Sequence, residues 1–349
     1  GLGLPESLAS HFKPTAKTKA ISCSGELLDQ LSGRDPESGE AGCGTALPYI
    51  GVDGCQGLYN FGRASMIQKA LNTFLVPLQD KIDANGRVHT SLNLRTATGR
   101  LSSSQPNLQQ LPALDKDHYG VRSAVASRPG RRFIIADYGQ LDLRVLAHMA
   151  KCHKMIEALN AGVDIHTATA LHMYPDLKAK VDRGEVALSK VKDTYASQRR
   201  HAKTVNFGIA YGLTKQGLSK QLSCSEEEAQ DMIDRWYTAY PEVKVWQEET
   251  VREALQTKTL HVETLNGRWR RIQDLRQCFE PAEPRGGGWQ KARPNYDALS
   301  ARRKATNAPV QGGSADVVVE AMLRAEASEE LRQLGYEMIL QIHDELMFE

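Results

Sequence analysis

Apolar positions alternate between helical and extended spacing, and the two periods assign most of the elements. From 65 to 81, Met66, Ile67, Ala70, Leu71, Phe74, Leu75 and Leu78 recur at helical spacing. The polar stretch 83–112 lacks that period and reads as extended chain. RFIIAD, at 132–137, is a short apolar run ending on an acid, the pattern of a buried strand whose C-terminal end faces a site. A helix over 141–150 follows. Residues 153–260 are mostly helical by period, interrupted by an irregular charged stretch at 175–192. VETLNGRWRRI (262–272) predicts a hairpin turning on Asn266-Gly267, a pair that supplies the two positive φ angles of a type I′ turn. A helix over about 308–334 leads into a final hairpin at 336–348. The Gly/Ser-rich stretch 32–44 and the glycine-and-proline stretch 279–295 are expected to be loops.

Composition narrows the class without naming a partner. At 349 residues the chain is long enough for two or more subdomains. Hydrophobic residues make up 41% and charged residues 25%, as in ordinary globular proteins. The net charge of +2 gives no global basic field, so an anionic partner has to be held by local surfaces. Six cysteines are scattered without a CxxC pair, which argues against a zinc site or a disulfide framework. No apolar run approaches the ~20 residues of a membrane span. The closing run Leu346-Met347-Phe348 reads as a strand short of neighbours, so the chain is expected to be a piece of something longer.

Four features carry chemistry. In the last hairpin Met338, Leu340 and Ile342 alternate with Ile339, Gln341 and His343, and Asp344-Glu345 forms an acidic tip. An acidic turn is often no more than a solvated turn. Asp137, at the end of another strand, changes that reading. Two strand-end aspartates are suited to Mg²⁺, a hard cation held in phosphoryl-transfer sites by one or two carboxylates plus substrate phosphates. Two metals ~4 Å apart would stabilise both oxygens of an in-line displacement. Spacing alone does not show that the acids converge. Third, Arg199, Lys203, Phe207 and Tyr211 recur every fourth residue, a stripe from two cations to two aromatics, within a stretch (199–223) holding five Lys/Arg and no acid. A plain amphipathic helix would share this pattern, although Gly208 and Gly212 are costly in one without a need for close approach. Fourth, residues 84–114 hold Arg87, Arg95 and Arg100 and no acid. Their polar side chains suit phosphates and minor-groove edges, as a polar loop also would.

TATGRLSSSQPNLQQLP (96–112), DYGQLDLRVLAHMA (137–150), DIHTAT (164–169), RRHAKTVNFGIAYG (199–212), ETLNGRWRR (263–271), RRKATNAPVQG (302–312) and QIHDELMFE (341–349) resemble, in this order, the signature segments of family A DNA polymerases. The resemblance runs over roughly 83–349 and looks like the plant and algal organellar branch, partly through the charged insertion between Tyr174 and Arg199. It implies an α+β right-hand fold: an antiparallel palm sheet, a helical fingers subdomain, and a thumb mostly absent. The expected divisions are an N-terminal segment at 1–82 with a remnant of the thumb–palm connection, palm at 83–150, fingers at 151–260 and the second part of the palm at 261–349. The implied activity is template-directed addition of deoxynucleotides to a primer 3′-hydroxyl with release of pyrophosphate.

The resemblance also implies roles, matched motif by motif. Asp137 and Asp344 would bind two Mg²⁺ ions (Mn²⁺ as a substitute), with the backbone carbonyl of Tyr138 as a further ligand and Glu345 in support. Arg199, Lys203 and His166 would contact the incoming triphosphate, Lys203 also protonating the pyrophosphate. Phe207, Tyr211, Gln140 and Asp142 would surround the nucleotide. Arg100, Asn107, Gln109, Arg303, Asn307, Gln311 and His343 would track the primer–template DNA. The expected partners are that DNA and deoxynucleotides, with replisome or organellar nucleoid proteins as further candidates and no membrane. The expected compartment is the chloroplast or mitochondrion, with a nucleoid- or nucleus-associated soluble protein as the alternative.

Three positions depart from the family pattern. Asp142 stands where the family usually has Glu, which limits space beside the sugar 2′ position. The shorter side chain predicts weaker rejection of ribonucleotides. Phe207, where some relatives have Tyr, predicts poor dideoxynucleotide acceptance. Gly139 replaces a usual Ser, and nothing in the sequence explains it. Two alternatives stand beside the polymerase: a catalytically inactive polymerase-like module that binds nucleic acid or serves as a structural part, and an RNA polymerase of the single-subunit type, favoured only by Asp142.

Overall fold

The helix expected over 65–81 begins far earlier, at Leu47. Pro48 in its first turn brings a φ already suited to a helix start. Gly51 (φ +66°) then breaks the helical geometry before it resumes. Glycines at 51, 54 and 57 interrupt the apolar period, which is why the sequence hid this part. The computed structural model describes residues 25–33, 44–112, 114, 117–278 and 296–349. Most of both expected loops, at 32–44 and 279–295, lies outside the described residues. Contacts divide the chain into residues 1–91 with 103–126, and residues 92–102 with 127–349.

In the first unit, α1 (Gly25–Ser32) packs on α2 (Leu47–Ala70) through Leu28, Leu31, Cys55 and Leu58. Burying one such leucine contributes about 1.5–3 kcal/mol. A widened turn at Leu71–Leu75 leads into α3 (Val76–Gln79), where Pro77 brings no amide to the helix ladder. Short strands β1 (Ser91–Asn93) and β2 (Ser102–Ser104) lie where the chain passes between units.

The second unit begins with β3 (Ile134–Asp137) and α4 (Leu141–Met149). A helical layer follows: α5 (His153–Asn160), α6 (Ile165–Met173), α7 (Pro175–Asp182), α8 (Val191–Thr194), α9 (Ala196–Ala210), α10 (Lys215–Leu222), α11 (Glu226–Ala239) and α12 (Pro241–Gln256). Leu143, Leu146, Met155, Ile165, Val205 and Trp236 form its core. Ser225 and Glu228 close a reciprocal capping box at the start of α11. The stretch 175–192 is less irregular than expected, because Pro175 opens α7.

β4 (His261–Glu263) and β5 (Trp269–Arg271) form the expected hairpin, with a different turn. Thr264 and Arg268 stay hydrogen-bonded (2.8 Å), the Gly267 amide reaches the Thr264 carbonyl (3.0 Å), and Gly267 takes φ +75° while Asn266 does not enter the positive-φ region. This is a three-residue loop with glycine at the left-handed position, in place of the type I′ turn. α13 (Tyr296–Ala327) starts twelve residues before the expected 308 and carries Pro309 inside it; α14 (Glu329–Gln333) is separate, capped by Ser328. β6 (Met338–Ile342) and β7 (Glu345–Phe348) complete an antiparallel sheet of order β3-β7-β6.

The fold is therefore helix-rich with small antiparallel sheets. β3 is not the buried strand its apolar run suggested. Among the described residues it pairs with β7 alone, and Ile134 and Ile135 stay 44% and 50% exposed. Among the described residues no helix is long and apolar enough to cross a membrane.

Candidate functional site

The two aspartates converge. β3 and β7 run antiparallel with Asp137 opposite Glu345, and the Tyr138 amide donates to the Asp344 carbonyl (3.1 Å), so both acids sit at one end of the sheet. His343 supplies the positive φ (+51°) that turns the chain tightly enough to hold Asp344 there. Burial pushes the Asp344 carboxyl above its ordinary range; Arg100 opposes this, and the Asp142 and Asp137 carboxylates push it further up. Three acids thus share one region, with Arg100 as counter-ion to two of them, at 2.7 Å from Asp142 and 3.4 Å from Asp344.

Asp142 is the most enclosed of the three, 4% exposed on the first turn of α4. Its Oδ1 accepts from Arg100 Nη2 (2.7 Å) and from Ser314 Oγ of α13 (2.5 Å), and its Oδ2 accepts from the Tyr211 hydroxyl. Burial and that carboxylate raise the Tyr211 hydroxyl's pKa. The loop carrying Arg100 is itself tied down. Arg268 donates to the Thr98 carbonyl (3.0 Å) and to Asp316 of α13 (2.9 Å), and it packs where a Cβ on Gly99 (φ +83°) would stand, 2.5 Å away.

α9 presents the expected stripe. Lys203 is exposed; Phe207 and Tyr211 stack with centroids 6.1 Å apart, and Tyr211 caps the helix. Gly208 and Gly212 are there for close approach: added Cβ atoms would lie 3.0 Å from Leu213 and 2.6 Å from Arg303. Arg199 is held by Asp164, which caps α6, through two hydrogen bonds of 2.7 and 3.2 Å. Burial acts to raise the Asp164 carboxyl, but the Arg199 and Thr167 hydrogen bonds outweigh it and hold the group well below the usual range. Gln140, in a left-handed conformation (φ +60°), also donates to Asp164 (2.8 Å). His166 is 3% exposed beside Phe207 and bonded to Asn206 (3.0 Å). Burial pushes its pKa down to about 4, with Arg199 and Lys203 adding to the effect and Asp164 opposing.

The remaining expected residues are more dispersed. Arg303 lines a cleft of about 240 Å³ with Lys244, Gln247 and Arg302. Among the described residues, the buried Asn307 Oδ1 has no partner. His343 is exposed; Gln311 and Glu345 are half-buried. In the first unit, Asn107 caps a short 3₁₀ turn, and the mostly buried Gln109 accepts the Ser103 amide (3.2 Å). Sequence reading missed Asp164, Asn206, Arg268 and Ser314. Asp164 carried a signal as a helix cap before an apolar run. The other three had none, since the partners that define their roles lie 30–172 residues away.

A strand-end acid pair thus shares one unit with a helix that presents cations and then aromatics. The chain belongs to DNA polymerase family A, whose profile matches residues 61–349. It is 40% identical over 333 residues to DNA polymerase I B, chloroplastic/mitochondrial, of Arabidopsis thaliana, with 90% of this chain and 30% of that protein covered. It is 37% identical over 285 residues to the thermostable DNA polymerase I of Thermus aquaticus, with 81% and 30% covered. The polymerase domain of Pol1 from M. smegmatis, solved in complex with DNA primer-template and dNTP, matches all of this chain and 55% of its own at a TM-score of 0.72 and 26% identity. The chain thus spans about a third of the length of these curated relatives.

Proposed function

We propose that the chain is the polymerase core of a DNA-directed DNA polymerase that extends a primer 3′-hydroxyl by phosphoryl transfer. The observation that carries this reading is the meeting of Asp137 and Asp344 at one sheet end beside the cluster that holds Tyr211 of the α9 stripe. In right-hand terms, 83–150 and 261–349 would be the two parts of the palm, 151–260 the fingers, and 1–82 an N-terminal segment with a remnant of the thumb–palm connection.

The donor set fits a hard divalent cation. Among the described residues no group of three or more His, Cys, Asp or Glu side chains is arranged to hold a metal. Two carboxylates with excess negative charge around them suit an ion that takes its remaining ligands from substrate phosphates and water. Asp137, Asp344 and the Tyr138 carbonyl would hold two Mg²⁺ ions, which supply charge neutralisation at the attacking and leaving oxygens. Arg199 and Lys203 neutralise the triphosphate, and Lys203 gives its proton to the departing pyrophosphate. Phe207 lies along the nucleotide and Tyr211 guards the templating position. Arg199 has to loosen from Asp164 or share its guanidinium to reach a phosphate. Closure of α9 on a correct base pair would couple fit to chemistry. Arg100, Asn107, Gln109, Arg303, Asn307, Gln311 and His343 follow the primer–template, with Glu345 supporting the acids. The plant relatives' printed names favour a chloroplast or mitochondrion, where replisome or nucleoid proteins would be its neighbours.

The test is primer extension with Mg²⁺ and deoxynucleotides by the parent protein and its Asp344→Ala variant. Extension lost in the variant supports the reading. No extension by the wild type, with primer–template still bound, would establish the inactive binding module instead.

A further inference from the structure

Asn206 is fully buried at the centre of a hydrogen-bond set whose proton inventory has only one solution. The Trp236 indole can only donate, and its Nε1 lies 2.6 Å from the amide oxygen Oδ1, so the amide orientation is fixed. Thr169 Oγ1 donates to the same oxygen at 3.0 Å, and it also lies 3.2 Å from the Tyr240 hydroxyl. The amide nitrogen Nδ2, which can only donate, therefore faces His166 Nδ1 at 3.0 Å. That ring nitrogen must present a lone pair, which leaves the single ring proton on Nε2.

Resting on the nucleotide reading above, we infer that Asn206 is a positioning residue that fixes His166 as a neutral imidazole with Nε2–H as its donor toward the nucleotide. The charged groups around the ring show why this needs a dedicated partner. Asp164 at the head of α6 favours an imidazolium, whereas Arg199 and Lys203 on α9 disfavour it. With two cations already supplied by α9, a neutral donor adds direction without further charge. Its state stays constant between about pH 5 and about pH 8, where an ordinary histidine charges. Phe207, tilted 50° to the ring at 5.5 Å, borders it on the α9 side.

The test reads the ring nitrogens directly, by long-range ¹⁵N–¹H spectra of the histidine-labelled protein, with His166 assigned by its loss in His166→Gln. In the wild type Nδ1 is expected unprotonated and Nε2 protonated across that pH range. Asn206→Asp replaces the donor with an acceptor; it is expected to move the proton to Nδ1, raise the charging midpoint into that range and make the deoxynucleotide KM pH-dependent. Trp236→Phe, which leaves both partners in place but removes the donor that orients the amide, is expected to give a mixture of tautomers. A wild-type ring protonated on Nδ1, or an Asn206→Asp spectrum unchanged from wild type, overturns the assignment. A deoxynucleotide KM unmoved in His166→Gln overturns the nucleotide role, while the spectra still decide the tautomer.

Discussion

Replacing Asp142 with Asn keeps the side chain's shape and removes its charge, and the structure sets the cost. Oδ1 takes Arg100 at 2.7 Å and Ser314 at 2.5 Å, and Oδ2 takes Tyr211, all at a residue 4% exposed. An amide keeps one acceptor oxygen, so its NH₂ faces the Tyr211 hydroxyl, which then accepts a neutral hydrogen bond instead of donating a charge-assisted one. A hydrogen bond to a charged group contributes about 1.5–3 kcal/mol net and a neutral one about 0.5–1.5. Three charge-assisted bonds weakened by loss of the carboxylate charge amount to about 3–5 kcal/mol, similar to breaking a buried ion pair. Ser314→Ala alone should cost about 1.5–3 kcal/mol, falling to about 0.5–1.5 in the Asp142→Asn background. The coupling between the two is then about 1 kcal/mol. Urea unfolding followed by tryptophan fluorescence, on wild type, both single variants and the double variant, measures all four corners. A cost below about 1 kcal/mol for Asp142→Asn, or strictly additive single changes, would show that these bonds do not act as a charged cluster.

Three further outcomes concern Asp142, Phe207 of α9 and Asp164 at the head of α6. Asp142→Glu should tighten ribonucleotide exclusion about tenfold or more, the scale of one methylene in a fitted pocket; equal ratios of ribo- to deoxynucleotide kcat/KM in the two proteins would count against it. Phe207→Tyr should improve dideoxynucleotide acceptance, and efficient termination by the wild type at equimolar dideoxy- and deoxynucleotide would contradict this. Asp164 has a folded pKa below its ordinary value of 3.8, so its contribution is complete above that value and is lost as pH falls through the lower folded one. Acid-unfolding curves of wild type and Asp164→Asn should therefore lie a constant distance apart above about pH 5 and converge below about pH 4; convergence near neutral pH would be inconsistent with that pairing.

Local features were legible in the amino-acid order. Apolar period located the core helices, RFIIAD and the last hairpin gave two acid-ended strands, and every-fourth-residue spacing placed Arg199, Lys203, Phe207 and Tyr211 on one side of α9. These are short-range properties, governed by backbone geometry and side-chain period within one element. Where glycine or proline interrupted the period the reading failed, at the starts of α2 and α13 and at the turn between β4 and β5. That Asp137 and Asp344 meet follows from long-range strand pairing, which brings together two acids 207 positions apart and is encoded by no local spacing. The tertiary structure alone also decided that Asp142 is held by Arg100, Tyr211 and Ser314, that Asp164 holds Arg199, and that Asn206 orients His166. Each of those side chains looks ordinary in its own segment. Their chemistry arises where packing removes water and leaves a polar atom with one available partner.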